Sequence, residues 1–255
     1  MNTFERLLLV HRAWRYRLRT EPDEIAFVRA LTGRGELLID IGAHRGAFTY
    51  WMAKAVGPDG LVLAFEPIPE LAVYLDSIAR TYPDRRIRVF DCALSNSEGS
   101  AQLHLAGHHL GAASLESDLD VMGPPIDVRT YTLDACLSGI GTDKVVSLIK
   151  CDVEHHELSV FEGAQATLRQ SKPLLLFESG NLLDGQQYFG PVFEFLESLG
   201  YIGHFFFKSS IVGLSEFDPD RFSLAKSENQ NYVFVHREQL VSDSRLSAWA
   251  LSSNR

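Results

Sequence analysis

The segment Leu37-Leu38-Ile39-Asp40-Ile41-Gly42-Ala43-His44-Arg45-Gly46 constrains this chain more than any other part of it. An apolar run that ends in an acidic residue, passes through glycines and enters helix-forming sequence is how an open α/β sheet delivers its first strand to a ligand at a topological switch point. A second apolar run, Leu61 to Phe65, closes on Glu66-Pro67, so Glu66 stands twenty residues beyond Gly46. A carboxylate there can accept hydrogen bonds from both hydroxyls of a ribose. Together the two runs predict a nucleotide-cofactor pocket.

His44 discriminates between cofactors. A dinucleotide turn runs G-x-G-x-x-G, and its middle glycine lets the backbone approach a pyrophosphate. Here His44 takes that place within Gly42-x-x-x-Gly46 and would crowd it. S-adenosylmethionine (SAM) has no phosphate. Its amino-acid end carries a carboxylate and an ammonium, which suit a helix N-terminus and an acidic strand end. Asp40, Gly42, Ala43, His44, Gly46, Glu66 and Pro67 are therefore the expected cofactor-binding residues. The competing reading is a plain strand-to-helix turn in another α/β protein.

Apolar runs and helical periodicities alternate through the rest of the chain, the pattern of a mostly parallel sheet with helices on both faces. Strands are expected at 37–41, 61–65, 87–91, 145–150, 173–178, 201–207 and 231–236. Helices are expected near 46–55, 69–81, 157–169 and 191–199, the last opened by Pro191 and closed by Gly200. Ser100 to Leu105 and Asp127 to Leu133 alternate at period two and predict a β-hairpin insertion, about 99–134. The Ser209 to Gln230 connection suggests that the last strand returns antiparallel beside the sixth. The expected organisation is an N-terminal helical segment (1–35), one α/β domain (36–237) and a C-terminal tail (238–255) that frays.

Charge and cysteine content narrow the partners. A net charge of −9 over 255 residues argues against a nucleic-acid substrate, because such partners draw most of their non-specific affinity from a basic face. Cys92, Cys136 and Cys151 are odd in number and lack C-x-x-C spacing, so neither a disulfide framework nor a structural zinc site is expected, and a reduced cytoplasmic setting fits. No apolar run reaches the roughly 18 residues of a membrane span. The first twenty residues differ: Arg6, Arg12, Arg15, Arg17 and Arg19 interleave with Phe4, Leu7, Leu8, Val10, Trp14 and Leu18. Such a basic amphipathic helix either makes peripheral contact with a membrane or partner, or docks on its own domain and covers the cofactor. Docking is favoured, since one short basic helix binds membrane weakly without a second anchor.

The fourth sheet strand ends Lys150-Cys151-Asp152-Val153-Glu154, followed by His155, His156 and Glu157, and the fifth ends in Glu178. Ligand chemistry belongs at such carboxyl ends. Over these residues the chain resembles the FkbM family of SAM-dependent methyltransferases. The resemblance rests on LIKCDVEHHELSVFEGA (148–164), LLIDIGAHRGAFTYWMAKAVGPDGLVLAFEP (37–67), VFDCALSNSEG (89–99), VRTYTLDAC (128–136) and NYVFVHRE (231–238), in order across about residues 37 to 237. It implies a Rossmann-like class I methyltransferase, with a seven-stranded, mostly parallel sheet and an antiparallel last strand. It further implies that Asp40, Gly42, Gly46 and Glu66 bind SAM, that Asp91, Cys92 and Ala93 line the adenine, and that Asp152 and Glu154 sit at the methyl-transfer end. His44 stands where asparagine is commoner in that family, and His155 where glycine is usual.

Methyl transfer to oxygen needs an aligned hydroxyl and a base to take its proton. Asp152, Glu154, His155 and Glu178 are the catalytic candidates, with His156 beside them. Asp152, Glu178 and Asn181 could instead hold Mg²⁺, a Lewis acid for the same hydroxyl. His104, His108 and His109 fit a substrate-covering loop better than a metal site. Ser114 reaches the cofactor from the insertion or only starts a turn. Phe48 and Trp51 are expected to pack against the sheet rather than on adenine. The expected activity is O-methylation of a small-molecule hydroxyl on a sugar, a polyketide-like compound or another natural product. A nicotinamide-dependent oxidoreductase and a non-catalytic SAM-binding protein are the alternatives.

Overall fold

Leu37–Ile41 (β1) is buried at every position, as a strand covered on both faces must be. It lies parallel to Leu61–Phe65 (β2) with Leu37 opposite Leu61 and Ile41 opposite Phe65. The computed structural model describes residues 3–82, 86–105, 113–115, 124–179, 190–207, 210–217, 231–242 and 245–246. Ile87–Phe90 (β3) extends the sheet parallel to β2. Two short strands and a hairpin follow: Ala93–Leu94 (β4), Gly99–Leu105 (β5), Ala113–Ser114 (β6) and Ile126–Tyr131 (β7). They form a separate small sheet in the order β4-β7-β5-β6, with β5 and β7 antiparallel as the period-two pattern predicts.

The central sheet resumes with Val146–Cys151 (β8), parallel to β1, and Leu174–Glu178 (β9), parallel to β8. Tyr201–Phe207 (β10), Ser210–Gly213 (β11) and Asn231–His236 (β12) complete it. The order is β3-β2-β1-β8-β9-β12-β10-β11, with β12 inserted antiparallel between β9 and β10. This is an α/β methyltransferase-like fold. The seven expected strands are present, but the sheet holds eight described strands. Ser210–Gly213 pairs antiparallel with β10 at the edge. Four residues are too few to show a period in the sequence, and edge pairing alone fixes them as a strand.

Helices cover both faces. Ala47–Val56 (α3) leaves the first glycine turn, and Pro69–Thr81 (α4) starts with proline in its first turn. They follow Thr3–Arg15 (α1), a five-residue π-helix over Tyr16–Thr20, and Pro22–Leu31 (α2). Leu133–Ile140 (α5) was not legible as a helix. The expected strand to Leu133 stops at Tyr131, because the Thr132 side chain accepts a hydrogen bond from Ala135 N and caps a helix there. The single helix expected over 157–169 is two, Glu157–Glu162 (α6) and Gln165–Ser171 (α7). At the break, a β-carbon on Gly163 would stand 2.1 Å from the Ser95 carbonyl oxygen, so glycine lets the chains pass. Pro191–Ser198 (α8) precedes β10, and the tail, expected to fray, opens as the helix Arg237–Ser242 (α9).

The N-terminal segment docks on the domain. Leu9 and Ala13 of α1 are fully buried, Trp51 of α3 donates its indole N–H to Ala13 O at 2.8 Å, and Trp14 meets Trp51 edge-on. Trp51 thus packs under α1. Among the described residues no helix is long and apolar enough to cross a membrane. Cys92, Cys136 and Cys151 carry free thiols.

Candidate active site

The register of the sheet assembles the site. Asp40 is paired across β1–β8 with Lys150, so the two charged side chains emerge side by side at the carboxyl ends of adjacent strands. Lys150 Nζ lies 3.0 Å from Asp152 Oδ2 and 4.0 Å from Asp40 Oδ1, and donates to Gly42 O at 3.4 Å. Burial alone would lower the pKa of this lysine. The charges of Asp152, Asp40 and Glu21 more than offset that, so its ammonium is held above the ordinary range.

Asp40 is fully buried. Its Oδ2 accepts a hydrogen bond from Thr49 Oγ1 at 2.5 Å, while Oδ1 has no hydrogen-bond partner. Desolvation raises its pKa, against the pull of Lys150. A buried carboxylate oxygen left in this state costs free energy unless a donor arrives. The ammonium of an amino acid is such a donor, so the observed donor set fits the amino-acid end of SAM.

Glu66 holds the glycine turn in shape. Its Oε2 accepts from His44 N at 2.7 Å and its Oε1 from Ile68 N at 2.9 Å, leaving lone pairs on both oxygens for ribose hydroxyls. Burial pushes its pKa up to about 7. His44 adopts a left-handed backbone (φ 47°), and burial, reinforced by Arg45 and Arg12, lowers its pKa to about 4, so it is neutral near pH 7.

One pocket collects most of the expected residues. Asp40, Gly42, Ala43, His44, Glu66, Pro67, Cys92, Ala93, Asp152, Glu154 and His156 all line it, with Lys150 and Phe48. Phe48 is therefore in the pocket wall, 5.3 Å from the Lys150 ammonium, rather than only packed on the sheet. Gly46 is not in the lining. It precedes α3 in the left-handed conformation (φ 75°). Asp91 is exposed and lines a second groove with Arg129, Tyr131 and Cys136. Glu178 lies outside the lining as well, but burial and the charges of Asp152 and Glu154 push it up to about 7. His155 is exposed and outside the pocket, whereas His156 faces in and pairs with Ser95 Oγ at 3.0 Å. Asn181, His108 and His109 fall outside the described residues, as does the side chain of Ser114, whose backbone pairs with His104. Among the described residues no group of three or more His, Cys, Asp or Glu side chains could hold a metal ion.

Several wall residues were not expected from the sequence, and three of them, Arg12, Tyr16 and Glu21, come from the N-terminal segment. Arg12 donates to Arg45 O and to the Tyr74 hydroxyl, both at 3.4 Å. Glu21 sits between the π-helix and α2, and burial pushes its carboxyl up to about 8 against the pull of Lys150. The arginine-aromatic pattern marked the segment as amphipathic, but nothing local marks which of its side chains reach a cleft formed by distant strands.

Comparison with known proteins follows the same lines. A family model described as the methyltransferase FkbM domain matches residues 40–202. No curated protein matches the chain. Among solved structures, methyltransferase FkbM from Methylobacillus flagellatus KT superposes with a TM-score of 0.50 at 16% identity, covering 92% of this chain and 55% of that one. The chain thus spans about 55% of the length of that protein. A putative rRNA-methylase from Clostridium thermocellum gives a TM-score of 0.50 at 10% identity, covering 84% of this chain and 92% of that one. At these identities the solved structures speak to the fold alone.

Proposed function

This chain belongs to the FkbM family of methyltransferases, and on that premise we propose that it is a SAM-dependent O-methyltransferase acting on a hydroxyl of a small molecule. The observation that carries the reading is the buried Asp40 Oδ1, which has no hydrogen-bond partner and only a 4.0 Å ion-pair contact with Lys150, in a pocket that also holds Asp152, Glu66 and Glu154. Asp40 and the Gly42 carbonyl would hold the SAM ammonium, Glu66 the ribose hydroxyls, and Cys92 and Ala93 would flank the adenine. Bound SAM supplies a methyl group on a sulfonium, open to attack by an electron pair.

The chain's own residues align the acceptor and take its proton. Lys150 fixes the Asp152 carboxylate through the 3.0 Å contact, which directs that carboxylate rather than leaving it to rotate. Glu154 is the proton acceptor in this reading. Burial and then the Asp152 charge raise its pKa, which makes its carboxylate a stronger base than an exposed one. His156 and Glu21 contribute polar wall. The left-handed backbone of Glu154 (φ 51°) is of the kind retained where a side chain must be aimed. Support for a small acceptor comes from the net charge of −9, which disfavours a polyanion.

The test is incubation with isotopically methyl-labelled SAM and an extract of hydroxylated small molecules. Label should appear in an ether-linked product, and Glu154→Gln should lower turnover at least tenfold while SAM still binds by calorimetry. Binding of NAD in place of SAM would move the protein to the oxidoreductase reading, and SAM binding with no labelled product would move it to the non-catalytic one.

A further inference from the structure

The N-terminal helix has two working faces, and only one is used by the fold. Its inner side buries Leu9 and Ala13 and sends Arg12 and Tyr16 into the pocket wall. Its outer side exposes Phe4 (68%), Leu7 (64%), Leu8 (43%) and Trp14 (39%), and Leu18 (65%) continues the patch along the π-helix. Elsewhere among the described residues, large exposed apolar side chains are Val73 on α4, Val145 just before β8 and Ile202 on β10, far apart in the chain. Phe4, Leu7 and Leu8 recur at helical spacing and so share one face. Single exposed apolar residues need no explanation, but a contiguous set on one short helix does.

Charge selects the occupant. Arg6, Arg15 and Arg19 are exposed along the same segment, and its five arginines face a single acid, Glu5, although the chain as a whole carries −9. An apolar stripe edged with arginine is complementary to a surface that is apolar beneath and anionic on top. We propose that the outer face of residues 3–20 docks on an anionic lipid surface, lying in its plane with Phe4, Leu7, Leu8 and Leu18 inserted and the arginines at the headgroups. A second copy of this chain would bring the exposed Arg6, Arg15 and Arg19 of both copies together, which the charge disfavours. Because one short helix binds reversibly, the association is salt-sensitive rather than permanent. The helix that walls the pocket on its inner side is then the one that holds the lipid on its outer side.

The test uses the full chain in flotation with phosphatidylcholine vesicles containing about a third phosphatidylglycerol, and with phosphatidylcholine alone. The expected result is at least tenfold more protein on the anionic vesicles, most of it released by 0.5 M salt (roughly a 4 Å Debye length). Leu7→Ser with Leu18→Ser should cut binding at least fivefold, as should Arg15→Glu with Arg19→Glu, while the urea unfolding midpoint and SAM affinity stay unchanged. Those last two readouts separate a lost docking face from a lost fold or a failed cofactor assignment. Equal binding to both vesicle types, no binding to either, or a wild-type dimer that Leu7→Ser/Leu18→Ser converts to monomer in sedimentation would overturn the proposal, the last in favour of a contact between copies.

Discussion

A β-carbon on Gly42 would stand 1.9 Å from the backbone carbonyl oxygen of Asp152. The turn after β1 and the end of β8 pass so closely that only a glycine fits between them, and Gly42 also holds a left-handed φ of 71°. The same approach lets Lys150 touch both Gly42 O and Asp152. Gly42→Ala should therefore destabilise the fold by roughly 2–5 kcal/mol, from overpacking against rigid backbone plus the strained φ. Gly46→Ala meets flexible side-chain ends instead of backbone, Leu75 Cδ2 at 2.9 Å and Ile78 Cδ1 at 3.1 Å, and should cost about 1–2 kcal/mol. Urea unfolding of the two variants checks the order, and equal losses would refute the close-approach argument.

Asp40→Asn keeps the shape of the site and removes the charge facing the expected ammonium. SAM affinity should fall by roughly 10- to 100-fold, the value of a hydrogen bond to a charged group. Glu66→Gln puts an amide N–H₂ against one of the two backbone donors, His44 N or Ile68 N, and should weaken binding by a similar factor. Calorimetric titration reads both, and unchanged affinity in both would remove SAM from this pocket.

His155 adopts φ 76°, in the left-handed region where the family usually has glycine. Since the side chain is exposed and outside the pocket, His155→Gly should relieve strain and raise stability by about 0.5–1 kcal/mol while leaving turnover within about twofold. His156→Ala, which removes a pocket group and its Ser95 contact, should lower turnover further. A reversed ranking would put the chemistry on His155.

The folded protein should lose stability as pH rises toward 8. Burial pushes Glu21 up to about 8, so the folded state keeps a proton that an unfolded glutamate releases above about 4.5. The unfolded state binds fewer protons across that window, stability falls with pH, and the fall levels off above about 8. Burial lowers His44 to about 4, which gives the opposite slope, but only between about 4 and 6.5. Between pH 7 and 8.5 Glu21 titrates together with the upper end of Glu24, Glu66, Glu157 and Glu178, which burial pushes up to about 7, so Glu21→Gln should reduce the dependence of the urea midpoint there without abolishing it. A slope unchanged by the substitution would refute it.

The sheet was readable because strands covered on both faces are mostly apolar, and β1, β2, β10 and β12 have the bounds expected from their apolar-rich runs. Strand β11 and the break between α6 and α7 were not readable, since one depends on an edge partner and the other on the Ser95 carbonyl, neither of which is local.

The same division runs through the site. Sequence by itself determined the fold class, the family and the acidic strand ends, because spacing along one chain fixes what a strand delivers to the sheet's carboxyl edge. Tertiary structure alone decided that Asp40 stands beside Lys150, that His156 and not His155 faces the pocket, and that Arg12, Tyr16 and Glu21 close its wall. It also decided that the N-terminal helix buries one face and leaves the other open. Register, backbone handedness and docking each depend on partners far away in the chain, and a local pattern carries no information about which partner arrives.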